Sequence, residues 1–182
     1  MSQGNPDIRQ QVEANRGIAK KLELLIPGLR GYRTKEDLRA SDSLLRNQVA
    51  DRLDHAKDNL QQLRKQVAAS NDLTNLTVVG SLISQVQALS GEVRHAGQGY
   101  AGWVAPIQIN EAKLNRLYEY DYSFVSAVFQ FDDATSPGKL VYDGSAPNSI
   151  QGPINGFART VADIRQKWSQ RMEAIEGIAL GQ

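Results

Sequence analysis

The feature that most constrains this chain is residues 35–69, which contain neither proline nor glycine. The spacing of its apolar residues is typical of a coiled-coil seam. At 1.5 Å per residue, one helix over this stretch would be about 50 Å long. A partner surface of similar length must therefore pack against its stripe of apolar residues. The charged residues between, Asp42 and Arg46 among them, are mixed in sign and predict a solvated flank. The apolar residues step by seven and then by threes and fours: Leu38, Leu45, Val49, Leu53, Ala56, Leu60, Leu63 and Val67.

Four further segments carry a helical period, one before this run and three after it. Residues 132–155 are rich in Gly, Pro, Ser, Asp and Asn and predict one long irregular loop, with the last helix starting near Phe157. We therefore predict an all-α fold: an elongated antiparallel bundle, or coiled-coil hairpin, of about five helices forming a single domain over residues 1–182. The pattern leaves open whether the second and third helices pair within one chain or between chains.

Composition excludes several classes of function. The chain has 21 Lys and Arg against 20 Asp and Glu, so it lacks the basic surface that drives nucleic-acid binding. Without cysteine it has no thiolate nucleophile and no Cys-based metal site. The charge-free window 73–91 is long enough to cross a membrane, but polar residues fill nearly half of it and favour a buried helix. The N-terminus lacks an apolar signal region, so we expect a cytoplasmic protein.

Motifs that would carry chemistry are weak. Glu92 and His95 form one Glu-x-x-His, whereas ferritin-like di-iron bundles need two such motifs and two further Glu. Glycines 97, 99 and 102 match a dinucleotide fingerprint in letters, but they follow a predicted helix rather than a strand. We therefore predict no catalytic residue, no metal site and no cofactor. A ferritin-like metal-binding oxidase or store built on Glu92 and His95 is kept as an alternative.

The remaining candidates are surfaces for protein contact. Tyr100 and Trp103 lie in a glycine-rich segment and could anchor an interface, or they could cap the end of the core. Leu53, Leu60 and Val67 represent the seam of the long helix. The sequence thus predicts a non-enzymatic structural or scaffold protein, which self-associates into a homo-oligomer or binds a helical protein partner.

One block of the sequence resembles a family of uncharacterised helical bacterial proteins. The resemblance rests on Ile26-Pro27-Gly28-x-x-Gly31-Tyr32-x-x-Lys35-Glu36-x-x-Arg39, with Gly99-Tyr100-Ala101-Gly102 and Leu114-x-x-Leu117-Tyr118-x-x-Asp121 further on. It spans residues 26 to about 128 and implies no activity or catalytic residue. Members are often encoded near stomatin/flotillin-type (SPFH) proteins. This implies a second alternative, a membrane-surface adaptor that acts with an SPFH-type protein and touches the membrane only indirectly.

Overall fold

The computed structural model describes residues 8–29, 35–96, 111–142, 144 and 150–179. The described residues form five helices and no strand, and the helices pack as a bundle, which confirms the all-α prediction. In chain order the helices are α1 (Ile8–Leu25), α2 (Lys35–Ala69), α3 (Leu73–His95), α4 (Glu111–Ala134) and α5 (Gln151–Ala179).

The helices α2 and α3 form an antiparallel hairpin within the chain. Asn71 turns the chain with a left-handed φ of 55°, a conformation that asparagine tolerates better than most residues. Asp72 then caps α3, because its Oδ1 accepts the backbone N–H of Asn75 at 3.0 Å. Near the other end of the hairpin, the Ser90 hydroxyl donates to Asp54 Oδ1 at 3.0 Å. The pairing that the sequence left open is therefore made within one chain.

The helix α4 runs parallel to α2 and antiparallel to α5. Arg171 of α5 contacts both Asp42 of α2 and Asp121 of α4, and ten residues further along α2 Arg52 contacts Asp132 of α4. The helix α4 therefore lies beside both α2 and α5, and Arg171 reaches Asp42 of α2 from α5. The helix α3 packs on α2 from about Arg46 onward and also packs on α5.

The helix α1 lies at the edge of the bundle, where α4 is its main neighbour. Leu22 and Ile26 are fully buried on one side, and a turn follows in which Gly28 takes a φ of +90°. That backbone conformation favours glycine, and a Cβ there would lie 3.5 Å from Leu44 of α2. Pro27 and Gly28 thus form the turn that follows α1, and this turn lies against α2.

The irregular connection before α5 is shorter than the predicted loop 132–155. The helix α4 continues to Ala134, and α5 begins at Gln151 rather than near Phe157. Pro153 does not delay the start of α5, because the first residues of a helix have no intrahelical partner for their N–H groups. The correction leaves residues 135–150 between the two helices, and Tyr142 there is buried and donates to Asp72 at 2.9 Å.

No helix in the described part of the chain is both long enough and apolar enough to cross a membrane. The window 73–91 lies in α3, which runs along α2 with its apolar stripe buried.

Candidate functional site

The seam residues predicted to meet a partner lie inside the chain's own core. Leu53, Leu60 and Val67 have no exposed surface, and they share one apolar cluster with Val79 and Val86 of α3. Because α3 covers them, they offer nothing to a second chain while the hairpin is closed. The other predicted anchors, Tyr100 and Trp103, lie outside the described residues.

The Glu-x-x-His pair lies at the end of α3. Glu92 accepts from Arg165 Nε of α5 at 3.2 Å, so its carboxylate is in an ion pair, and His95 is exposed. Among the residues that the structure describes, no three His, Asp or Glu side chains come together as a potential metal-binding group.

Four charged side chains meet in the interior where α2, α4 and α5 pack together, and we call them the buried ionic cluster: Asp42, Arg46, Asp121 and Arg171. Arg171 has no exposed surface, and its guanidinium contacts Asp121 and lies 2.7 Å from Asp42. Arg46 donates to Asp42 at 2.8 Å and to the Arg94 carbonyl at 2.9 Å. Two positive and two negative charges therefore balance away from water.

The buried ionic cluster corrects the prediction that Asp42 and Arg46 belong to a solvated flank. Asp42 fills the gap in the apolar spacing between Leu38 and Leu45, four residues after one and three before the other. It thus lies on the buried stripe, where a charge must be paired to be tolerated. The step of seven residues from Leu38 to Leu45, in a seam that otherwise steps by three or four, is the sequence signal that a polar residue occupies a buried position there.

A groove open to solvent runs between α1 and α4, and we call it the α1–α4 groove. Its volume is about 420 Å³, and its apolar and aromatic lining includes Leu25, Tyr122 and Phe129. Leu24 stands at its rim with 77% of its surface exposed. The described residues that line the groove are Lys21, Leu24, Leu25, Tyr122, Ser126, Phe129 and Gln130.

Two cationic side chains lie over the two aromatic rings of the groove. Lys21 Nζ lies 5.9 Å from the centroid of the Tyr122 ring, and Arg52 Cζ lies 4.5 Å from that of Phe129. Both distances allow a cation–π attraction. Asp132 fixes Arg52 in place, accepting from its Nη1 at 3.0 Å, and Asp132 Oδ1 also lies 2.6 Å from His55 Nδ1.

The chemistry of this lining suits binding. Its described residues supply one ammonium, two hydroxyls and an amide, together with apolar and aromatic surface, and none of them is a carboxylate or an imidazole. An acid–base mechanism needs such groups within hydrogen-bond reach of the reacting atoms. An apolar floor with few polar groups instead favours the binding of an apolar side chain.

Sequence reasoning missed this groove for an identifiable reason. The apolar stripe of α1 includes Leu22, Leu25 and Ile26, and Leu24 falls outside it. A large apolar residue that does not fit the stripe of an amphipathic helix is a signal for a second contact surface. That signal could have been read from the sequence.

No family model matches the chain, and no curated protein or solved structure matches it either. The resemblance to a helical bacterial family therefore stays a prediction.

Proposed function

We propose that this chain is a non-enzymatic scaffold protein that acts by contacting another protein, a second copy of itself or a helical partner, through the α1–α4 groove. One observation carries the proposal: Leu24 is 77% exposed at the rim of an open apolar groove. A leucine gains roughly 1.5–3 kcal/mol when it is fully buried, so a contact that covers it is favoured.

The arrangement of α1 supports this proposal. Its buried side, with Leu22 and Ile26, packs into the bundle, and α4 is its main neighbour. Lys21 and Leu24 lie one helical turn apart on the outward side. Gly17, two turns before Leu24 on the same side, is exposed, and a Cβ there would meet no atom within 4 Å. Leu24 therefore lies on a helix face that has no side chain at the position two turns before it.

The long seam supports the same proposal by elimination. The apolar stripe of α2 is the longest in the sequence, and α3 and α4 cover it within the chain. The stripe is therefore closed to a partner while the bundle is folded. Of the described large apolar side chains that stay exposed, Leu24, Leu73 and Val141, Leu24 is the most exposed and lines a groove between two helices.

In-cell photo-crosslinking tests the proposal. We expect a benzoylphenylalanine placed at Leu24 to give one defined crosslinked product, because a partner covers that position. The matched control carries the same group at Gln87, an exposed position on α3. The substitution Ser126→Arg, which fills the groove from α4, should abolish the product. If position 24 gives no product, or the same products as position 87, the proposal is wrong.

A further inference from the structure

An imidazole held by a buried carboxylate lies between α2 and α4. The side chain of His55 is 60% exposed and that of Asp132 only 5%, and His55 Nδ1 lies 2.6 Å from Asp132 Oδ1. The other oxygen, Oδ2, accepts from Arg52 Nη1 at 3.0 Å. A carboxylate that is paired with a guanidinium is ionised and only accepts hydrogen bonds, so the proton of the neutral ring lies on Nδ1. The lone pair of the ring is therefore on Nε2.

This arrangement suits a nucleophile. Among the residues that the structure describes, none forms a hydrogen bond with His55 Nε2. A neutral imidazole attacks an electrophile directly and forms a covalent intermediate. A role as a metal ligand would require further ligands, and the described side chains bring no second and third His, Asp or Glu together with His55.

Hydrogen-bond donors lie on both sides of the ring along α2. Arg52, one turn before His55, gives an N–H group to Asp132 and keeps half of its side chain exposed, so other N–H groups of its guanidinium are open to solvent. Asn59, one turn after His55, is buried, and its Nδ2 has no hydrogen-bond partner in the described part of the chain. Guanidinium and amide N–H groups are the donors from which phosphoryl oxygens accept.

The nearest carboxylates on α2 are themselves paired. Asp51 and Asp58 lie one turn before and one turn after His55. Asp51 Oδ1 lies 2.9 Å from Arg94 Nη2, and Asp58 Oδ1 lies 3.9 Å from Lys57 Nζ. Since each has a cation within ion-pair distance, their repulsion of an anionic reagent near the ring is reduced.

We propose that His55 accepts a phosphoryl group on Nε2 from a phosphoramidate, a donor in which phosphorus is bound to nitrogen. The Nε2 lone pair forms the new N–P bond. The P–N bond of the donor breaks, and its electron pair leaves with the donor nitrogen, which already carries its protons and departs as the free amine. The ring keeps its proton on Nδ1 and becomes positively charged, and Asp132 stabilises that charge by accepting from Nδ1–H. One P–N bond replaces another, so no further reactant is needed.

This inference goes beyond the proposed function, because His55 is not among the described residues that line the α1–α4 groove. It adds a modification site to the surface of α2. A crosslink at Leu24 does not involve His55, so the two proposals are tested separately.

Reaction of the full chain with potassium phosphoramidate tests the inference. The chain has two histidines, and His95, which is exposed at the end of α3, serves as the control within the same molecule. We expect His55 to be labelled about tenfold or more faster than His95, because an oriented group reacts faster than one that rotates freely. Mass spectrometry of peptides kept at neutral pH locates the label, and ³¹P NMR should identify the Nε2-linked product.

The variant Asp132→Asn tests Asp132 as the positioning residue. An amide at this position donates to Nδ1 and so shifts the ring proton to Nε2, and labelling of His55 should fall about tenfold while labelling of His95 is unchanged. The ¹⁵N chemical shifts of the His55 ring should report the change of tautomer, which a purely structural role would not produce. The matched variant is Asp133→Asn at the exposed neighbouring position, and it should change neither rate.

The comparison of the two histidines uses the natural chain, so it does not depend on how Asp132→Asn folds. Equal labelling of His55 and His95 in the natural chain would overturn the inference. Labelling of His55 on Nδ1 would do the same, and so would an unchanged ratio of the two rates in a folded Asp132→Asn protein.

Discussion

The two halves of α2 are buried in different ways. From Val49 to Val67 the buried side of α2 carries no charge and packs on α3, a helix whose side chains are uncharged from Leu73 to Gly91. Before Val49 the same stripe includes Asp42. Arg171 of α5 contacts the carboxylate of Asp42 and also that of Asp121 of α4. The helix α2 thus contributes both to an apolar seam and to the buried ionic cluster.

The difference teaches how stability and register can be separated in a helical bundle. Apolar contacts are not directional, and a heptad seam displaced by one repeat still pairs apolar side chains. The buried ionic cluster tolerates no such displacement, because every shift would leave a charge unpaired away from water. We therefore expect apolar burial in the α2–α3 hairpin to supply most of the stability of the fold. We expect the buried ionic cluster to fix how α2, α4 and α5 align.

The largest expected effect comes from breaking the buried ionic cluster. Arg171→Met removes the guanidinium that contacts two buried carboxylates, Asp121 and Asp42. A buried charge left without its partner costs about 3–5 kcal/mol, so the free energy of unfolding should fall by that amount. Urea unfolding followed by circular dichroism measures it.

The control for this variant removes a matched pair. In Asp121→Leu with Arg171→Met, only Asp42 and Arg46 remain, and their charges balance. The double variant should recover most of the lost stability, since apolar replacements of a buried pair are often neutral. An Arg171→Met protein that loses less than about 1 kcal/mol would show that this cluster does not fix the alignment.

In the apolar half, Leu60→Ala should be the next most costly change. Leu60 has no exposed surface, and truncation of a buried leucine costs about 2–5 kcal/mol through lost burial and the cavity left behind. Leu60→Met, which keeps the volume, should cost less than about 1.5 kcal/mol in the same urea experiment. Equal, negligible losses for both variants would mean that Leu60 is not in the core.

Much of the fold could be predicted because helical periods and seams are local in sequence. The stripe from Val49 to Val67 indicated a buried seam, and the run without Pro or Gly indicated the length of α2. Which helix lies against a stripe depends on contacts far apart in the chain. The α2–α3 pairing therefore had to come from the structure.

The errors share one cause, which is reading composition without position. Asp42 and Arg46 were assigned to solvent for their charge, although Asp42 lies on the buried stripe. Gly152 and Pro153 looked like loop residues, although both are tolerated in the first turn of α5. Leu24 lies outside the apolar stripe of α1, so a prediction made from that stripe does not include it.

Acid should weaken the hairpin contacts through two carboxyls whose pKa values lie below the ordinary one. Burial raises the pKa of Asp54, but hydrogen bonds from Ser90, Arg94 and Lys57 outweigh this and lower it. The pKa of Asp72 is lowered by the backbone N–H of Asn75 and by the Tyr142 hydroxyl.

A lowered folded-state pKa means that the stability is fully present above the unfolded value, about 4, and is lost as pH falls through the folded-state value. We expect the urea midpoint to stay level down to about pH 4 and then decline. The decline should be shallower in Asp54→Asn, which cannot titrate at that position. An identical decline in both proteins would show that Asp54 does not contribute.

The smallest effect should come from Tyr142→Phe, where the connection before α5 packs on the tip of the hairpin. The variant loses the hydrogen bond from the Tyr142 hydroxyl to Asp72 but keeps the buried ring, and the cap of Asp72 on Asn75 remains. We therefore expect a small drop in the urea midpoint, with faster hydrogen exchange confined to the first turn of α3. Tyr142→Ala also removes the ring and should lower the midpoint much more. Beyond its first turn, α3 is held by the apolar seam, so exchange there should not change. If Tyr142→Phe instead speeds exchange along all of α3, the contact between Tyr142 and Asp72, rather than the seam, holds the hairpin closed.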